Sequence, residues 1–244
     1  MTLSRKVNVF MGLAVLTLLV LGCADPADSV PAAKTSPVKV KKETSKVTKP
    51  TSKIDKTKPK LVADPTQKVA VPKKAADAGR ALSGQIVFIG SKVTGSHECL
   101  FKTWTGTVRI PDNDLTKASF NFAVDTASVV VDYKNPRPWS KKLESHLKSH
   151  DFFHSQAVPK AEFVSSSVTK GGMNGTGTHV ITGKMSIRGT IREISFPATM
   201  SLDGGTFKAK AEFSIRRKRF NIIYPGKPDD LIRDRVVLKL DFTG

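Results

Sequence analysis

Apolar and polar residues alternate with a period of two along several short stretches of this chain. "ASFNFAVD" puts Ala118, Phe120, Phe122 and Val124 on one face, with Ser119, Asn121, Ala123 and Asp125 on the other. "THVITGKMSIRG" groups Ile181, Met185 and Ile187 against Thr182, Lys184, Ser186 and Arg188. "TFKAKAEFSI" sets Phe207, Ala209, Ala211, Phe213 and Ile215 against Lys208, Lys210, Glu212 and Ser214. "VVLKLDF" sets Val236, Leu238, Leu240 and Phe242 against Val237, Lys239 and Asp241. This pattern predicts antiparallel strands with one dry face and one wet face. "GQIVFIGS", "TWTGTVRI", "AEFVSSSV" and "ISFPATMSL" are further strand candidates. Pro197 brings no N–H to a ladder, so an edge or a bulge is expected there. "LDGGTF" and "SIRGTIRE" read as hairpin connections. A single helix is predicted over "SKKLESHLKSHDFF", with Leu143, Leu147 and Phe152 facing inward. About eight such strands make a closed antiparallel barrel or a sandwich. An eight-stranded barrel holds either packed side chains or one slim ligand.

Composition separates what precedes these strands. Arg5 and Lys6 lead into Val9–Leu21, an apolar run of 13 residues ending in "VLGC", Val20 to Cys23. The run is too short to span a bilayer comfortably and reads as an export signal, residues 1–22. "VLGC" resembles the bacterial lipobox. That resemblance implies cleavage before Cys23 and a lipid-modified, palmitate-type Cys23 as the membrane attachment. An uncleaved anchor and a plain secretory signal are the alternatives. Each places the mature chain on the periplasmic side of a bacterial membrane, which argues against a nucleic-acid partner despite the net charge of +19.

Residues 24–80 contain 13 Lys, 7 Pro and no aromatic residue. Such a stretch buries too little to offset its ordering entropy. Residues 23–80 are therefore predicted to be a disordered tether, a coil of roughly 40 Å. It would act as a spacer from the membrane or adhere to anionic lipid heads. Residues 81–244 are long enough for one domain with its own core.

Candidate chemistry is sparse. With Cys23 acylated, Cys99 has no partner in the chain. It is expected to be a buried, inert thiol, or else the link of a homodimer. His146, His150 and His154 have the i, i+4, i+8 spacing that can put metal ligands on one helical face. The helix is expected to end near Asp151, which favours solvated or capping roles. His97 and Glu98 have no Ser or Cys nucleophile with a convincing base nearby. The chain is therefore read as a non-enzyme without metal or cofactor. Arg216 to Arg219 are four cations in a row. Continued alternation from Phe213 and Ile215 puts Arg217 and Arg219 on the inner face at the barrel rim. Arg217 is expected to meet the polar end of a ligand, or a buried acid among Asp229, Asp230 and Asp234.

"GSKVTGSHECLFKTWTG", "LESHLKSHDFFHSQAVPKAEFVSSSV", "VITGKMSIRGTIREISFPATM" and the stretch through "DDLIRDRVVLKLDF" occur in an order and spacing that resemble the YceI-like family, over residues 83 to 243. The resemblance implies a lipocalin-like, eight-stranded antiparallel barrel with one short helix, built around an elongated apolar pore. It also implies binding of a polyisoprenoid or a related amphiphile such as an isoprenoid quinone, in the periplasm. Phe122, Ile181, Met185, Phe207, Phe213, Leu238 and Leu240 are the expected pore lining, with Arg217 at the polar end. The family commonly has Arg at the place of Arg217. Arg216, Arg219 and Cys99 depart from it, where Asn, an acid and Gly are common. The leading expectation is a lipid-anchored envelope protein that carries such a lipid. The alternative is a packed, ligand-free barrel serving structure or interaction.

Overall fold

The computed structural model describes residues 24–38 and 79–244. The signal segment, Cys23 and most of the predicted tether lie outside the described residues. In chain order the strands are β1 (Lys34–Pro37), β2 (Arg80–Ala81), β3 (Ser83–Lys92), β4 (Gly95–Phe101), β5 (Trp104–Arg109), β6 (Ser119–Asp125) and β7 (Val129–Val131). Helix α1 (Ser140–Lys148) follows. Then come β8 (Lys160–Lys170), β9 (His179–Ile187), β10 (Thr190–Asp203), β11 (Thr206–Arg216), β12 (Gly226–Lys227), β13 (Asp230–Leu231) and β14 (Arg235–Thr243).

The sheet runs β2-β5-β6-β8-β9-β10-β11-β14-β3-β4-β7. β2 and β3 form one extended run interrupted at Leu82, whose N–H donates to the Gly106 carbonyl at 2.9 Å. Through β2 this run pairs with β5, and through β3 it pairs with β14 and β4. The run thus stands at one end of the path and again near the other, and the sheet closes. With β2–β3 and β4–β5 each taken as a single bent strand, the wall has the eight antiparallel strands that the alternation predicts. The bend falls at Gly84, whose φ is 134°, a conformation that L side chains avoid. There β3 lies so close to β14 that a Cβ would stand 1.9 Å from the Asp241 carbonyl oxygen.

The inward faces match the sequence pattern. Phe120, Phe207, Phe213 and Phe242 are buried, and the polar residues between them lie outside. Both predicted hairpins are two-residue turns with positive φ at both central positions, Arg188–Gly189 and Gly204–Gly205. α1 packs on β7 and turns Leu147 inward. It also buries Glu144, which accepts the Val131 N–H at 3.2 Å and pairs with Lys141 at 3.0 Å. Burial works to raise the Glu144 pKa, but the bonds from Lys141 and Val131 outweigh it and hold the carboxyl below its ordinary value.

Residues 24–38 depart from the expected tether. Asp25 caps a 3₁₀ turn at Pro26–Ser29, and β1 pairs with β10 from Lys34↔Ser195 to Pro37↔Arg192. The place for β1 exists because β10 and β11 pair only from Thr199↔Lys210 to Asp203↔Thr206. The ladder stops two residues from Pro197, where the sequence predicts an edge. Beyond that point the Ala33 N–H donates to the Ser214 carbonyl at 2.8 Å, and the Ser214 N–H donates to the Pro31 carbonyl at 2.9 Å. Composition misses this segment because its hold is backbone pairing, which needs no apolar side chains.

Closure at Gly84 is testable. Gly84→Ala is expected to lower the unfolding free energy in urea by about 2 kcal/mol or more, from left-handed strain and the carbonyl clash. Gly90→Ala meets nothing within 4 Å. It is expected to stay within about 0.5 kcal/mol of the parent.

Candidate functional site

The barrel encloses an apolar cavity of about 170 Å³. Along β14 its lining includes Val236, Leu238, Leu240 and Phe242. The six rises from Val236 to Phe242 cover about 20 Å of strand, so this volume is a slim channel. One end is stopped by aromatic rings: Trp104, Phe122 and Phe242 meet with centroids 4.7–6.2 Å apart. Phe88, Phe101 and Phe153 form a second cluster at 5.3–5.8 Å. The far end is bounded by Arg217, Ile222 and Ile232.

Of the eight pore residues predicted, Phe122, Met185, Phe213, Arg217, Leu238 and Leu240 line this cavity. Ile181 and Phe207 do not. Both are buried, but they belong to the packed core. Phe207 is seated against Phe120, with centroids 5.8 Å apart. The alternation identifies the inner face, and only the rings around Phe120 decide how far along that face the space stays open. Phe152, Phe153, Ile222 and Ile232 complete the lining from outside the barrel strands. Phe152 is expected inward on a longer helix and reaches the cavity although α1 stops at Lys148; Phe153, Ile222 and Ile232 fall in irregular segments with no period to reveal them.

Arg217 is 4% exposed and lines the cavity, and its guanidinium meets backbone rather than the buried acid that was one of the two expectations. Its Nε, Nη1 and Nη2 donate to the carbonyls of Arg233 (3.0 Å), Ile222 (2.8 Å) and Ile232 (3.0 Å). None of the carboxylates of Asp229, Asp230 and Asp234 accepts from the guanidinium; Asp234 meets Arg217 only through its carbonyl, which accepts the Arg217 backbone N–H at 2.9 Å. Asp230 pairs with Lys92, and Asp234 accepts the Lys218 N–H and lies near Arg216. Three carbonyls carry partial charges only, so among the described residues a full cation stands at the channel end with no carboxylate hydrogen-bonded to it. Burial lowers the Arg217 pKa, with the Asp234 charge opposing. The guanidinium ties together both stems of the loop from Asn221 to Arg233, which covers this end of the barrel. Tyr224 in the same loop packs on His146 and Phe152, with centroids 4.9 and 5.6 Å away.

Arg219 corrects the expectation of continued alternation. β11 ends at Arg216, and Arg217–Phe220 form a 3₁₀ turn. Period three replaces period two, so Arg217 and Phe220 point inward while Lys218 and Arg219 are exposed.

The remaining candidates are structural in their contacts. Helix α1 ends at Lys148, so His150 and His154 do not continue the face of His146. His146 and His150 both approach Asp151, at 3.0 and 3.5 Å. His97 Nδ1 meets Asp132 at 3.1 Å, and Ser140 donates to the same carboxylate. The hydroxyl therefore bonds the carboxylate rather than the imidazole. Cys99 is 1% exposed. Burial, with Asp132, Glu144 and Glu98 adding, pushes its pKa far above the ordinary thiol range, which removes thiolate character.

Residues 81–244 match the YceI-like domain. UPF0312 protein plu2095 of Photorhabdus laumondii is 27% identical over 147 residues, covering 57% of this chain and 72% of the relative. Protein YceI of Escherichia coli O17:K52:H18 is 28% identical over 155 residues, covering 61% of this chain and 77% of the relative. The crystal structure of Burkholderia cenocepacia BcnA shares the fold, with a TM-score of 0.54 at 22% identity over 66% of this chain and 95% of that one.

The role of Arg217 in holding the covering loop predicts a stability loss. Arg217→Met keeps the bulk but leaves three carbonyls without their donor. Urea unfolding is expected to show a loss of about 3 kcal/mol. A loss under about 1 kcal/mol would mean the loop is held by other contacts.

Proposed function

We propose that this chain, which belongs to the YceI-like family, is a lipid-anchored envelope protein. Its barrel takes up the hydrocarbon chain of an isoprenoid lipid or a related amphiphile such as an isoprenoid quinone. The observation that carries this reading is the slim apolar channel ending on a buried cation that, among the described residues, has no carboxylate hydrogen-bond partner. A hydrocarbon tail leaving water for this lining gains about 25 cal/mol per Å² buried. Arg217 then offers its remaining N–H groups and its charge to a carbonyl, hydroxyl or phosphate at the head of the same molecule.

The channel volume favours a thin ligand. An apolar cavity of about 150 Å³ admits benzene. At about 170 Å³ the channel therefore receives the end of a chain, and deeper entry requires Phe122 and Met185 to shift. The same small volume favours the second reading, a ligand-free barrel serving as a structural or interaction module of the envelope.

The anchor reading takes a new form from the folded N-terminal segment. Asp25 meets Ser91 at 3.0 Å and Arg233 at 3.6 Å. An acylated Cys23 would stand two residues away. The barrel then rests against the membrane surface instead of trailing on a long spacer. Val93 and Leu231, about half exposed and joined by a backbone hydrogen bond, lie at this same rim beside Lys92 and Arg233.

Met185→Trp is expected to fill the channel and weaken binding of a fluorescent polyene fatty acid or a farnesyl probe at least tenfold, with the melting temperature little changed. Unchanged affinity in a folded variant would sink the carrier reading. A solvent extract of the purified protein that is free of prenyl lipid, together with no probe binding, would support the structural module. For the anchor, Cys23→Ser is expected to release the chain from the membrane fraction and abolish acyl labelling. Persistent membrane association without acylation would contradict it.

A further inference from the structure

The channel described above is closed at one end by aromatic packing and at the other by a loop tied from inside by Arg217. Its side wall is less uniform. Between the upper halves of β10 and β11 there is no direct ladder, and the gap is filled by residues 31–37. Their hold is slight. Among residues 24–38 only Ala27 is buried. β1 has four paired positions on β10, and the contact with β11 is a single bridge at Ala32↔Ser214. By contrast, β9 and β10 pair over nine positions.

The packing behind this segment is also loose. A second cavity, about 250 Å³ and partly polar, lies between Ala32, Ala33 and Thr35 on one side and Ile215, Arg216 and Arg219 on the other. Ile215 borders both this space and the apolar channel. The channel and the seat of the N-terminal segment thus meet at this residue. Just below, Phe196 of β10 and Phe213 of β11 stack at 4.1 Å across the gap, and both face the channel. Few buried apolar contacts and exposed backbone hydrogen bonds mark a unit that opens before the rest of a fold.

We propose that residues 31–37 form a removable stave of the barrel, and that the seam between β10 and β11 is the lateral entrance by which an apolar chain reaches the channel. The inference rests on the reading of the channel as a ligand site. When the stave lifts, the Pro31, Ala33 and Ser214 hydrogen bonds pass to water. Ile215, Phe196 and Phe213 then become the doorway. A chain-shaped ligand enters sideways between two strands, with no need to displace the latched loop or the packed rings. Arg219, which donates to the Thr35 carbonyl at 2.6 Å, and Arg235, which reaches Asp28 at 3.1 Å, hold the stave from the outer surface.

Two measurements on the chain carrying Cys23→Ser test this. Hydrogen exchange reads the opening without any ligand. The amides of Ala33 and Ser214 are expected to exchange at least a hundredfold faster than those paired between β9 and β10, and equal protection would overturn the removable stave. The second uses Ser36→Cys with Glu193→Cys. These are exposed Cα partners on facing strands, within the span a disulfide bridges. Uptake of a fluorescent polyene fatty acid is expected to be at least tenfold slower in the oxidised protein than in the reduced one. Equal rates would overturn the lateral entrance. No uptake in either state, with exchange as expected, would reject the ligand reading while keeping the stave.

Discussion

A sheet with free edges invites pairing with other chains, and closure removes the edges only if one strand can serve two neighbours. Here that strand is the run from Arg80 to Lys92. Its first residues bond to β5, and after the bend at Gly84 the rest bonds to β14 and β4. The channel, the buried faces of β6, β11 and β14, and the docking of α1 against β7 all presuppose this closure. The same constraint explains the N-terminal segment. Where the β10–β11 ladder stops near Pro197, two edges reappear within the wall, and residues 31–37 supply the missing bonds.

Four arginine side chains of the C-terminal part of the sequence, two of them in the run Arg216–Arg219, meet backbone. Arg217 donates to three carbonyls, Arg188 to those of Asn221 and His150, Arg192 to that of Arg219, and Arg219 to that of Thr35. Loops that cross the end of a barrel leave carbonyls without ladder partners, and guanidinium forks reach them at several angles. High positive charge in this chain is thus partly a device for satisfying irregular backbone.

The barrel and its pore were implied by the family resemblance, while the strands and their inner faces were legible because alternation is a direct imprint of a half-buried strand. Phe122, Met185, Phe213, Leu238 and Leu240 could be placed on that ground. Ile181 and Phe207 show the limit: being on the inner face does not say at which level the interior is filled, since that depends on which rings meet across the barrel. Arg219 shows another, because a strand that tightens into a 3₁₀ turn changes its period without a clear residue signal. The hold on Lys34–Pro37 was invisible for a third reason. A short strand of Lys, Thr, Ser and Pro is recruited by bonds its partners lack, a property of β10 and β11 rather than of its own composition.

The seat of residues 31–37 has a bearing on the order of assembly. Its two walls are β10 and β11, the latter ending at Arg216, so the residues made first have nowhere to bind until most of the polypeptide has emerged and folded. Until then this segment stays unpaired while the strands that follow it assemble. Residues 31–37 are thereby among the last parts to find their native place.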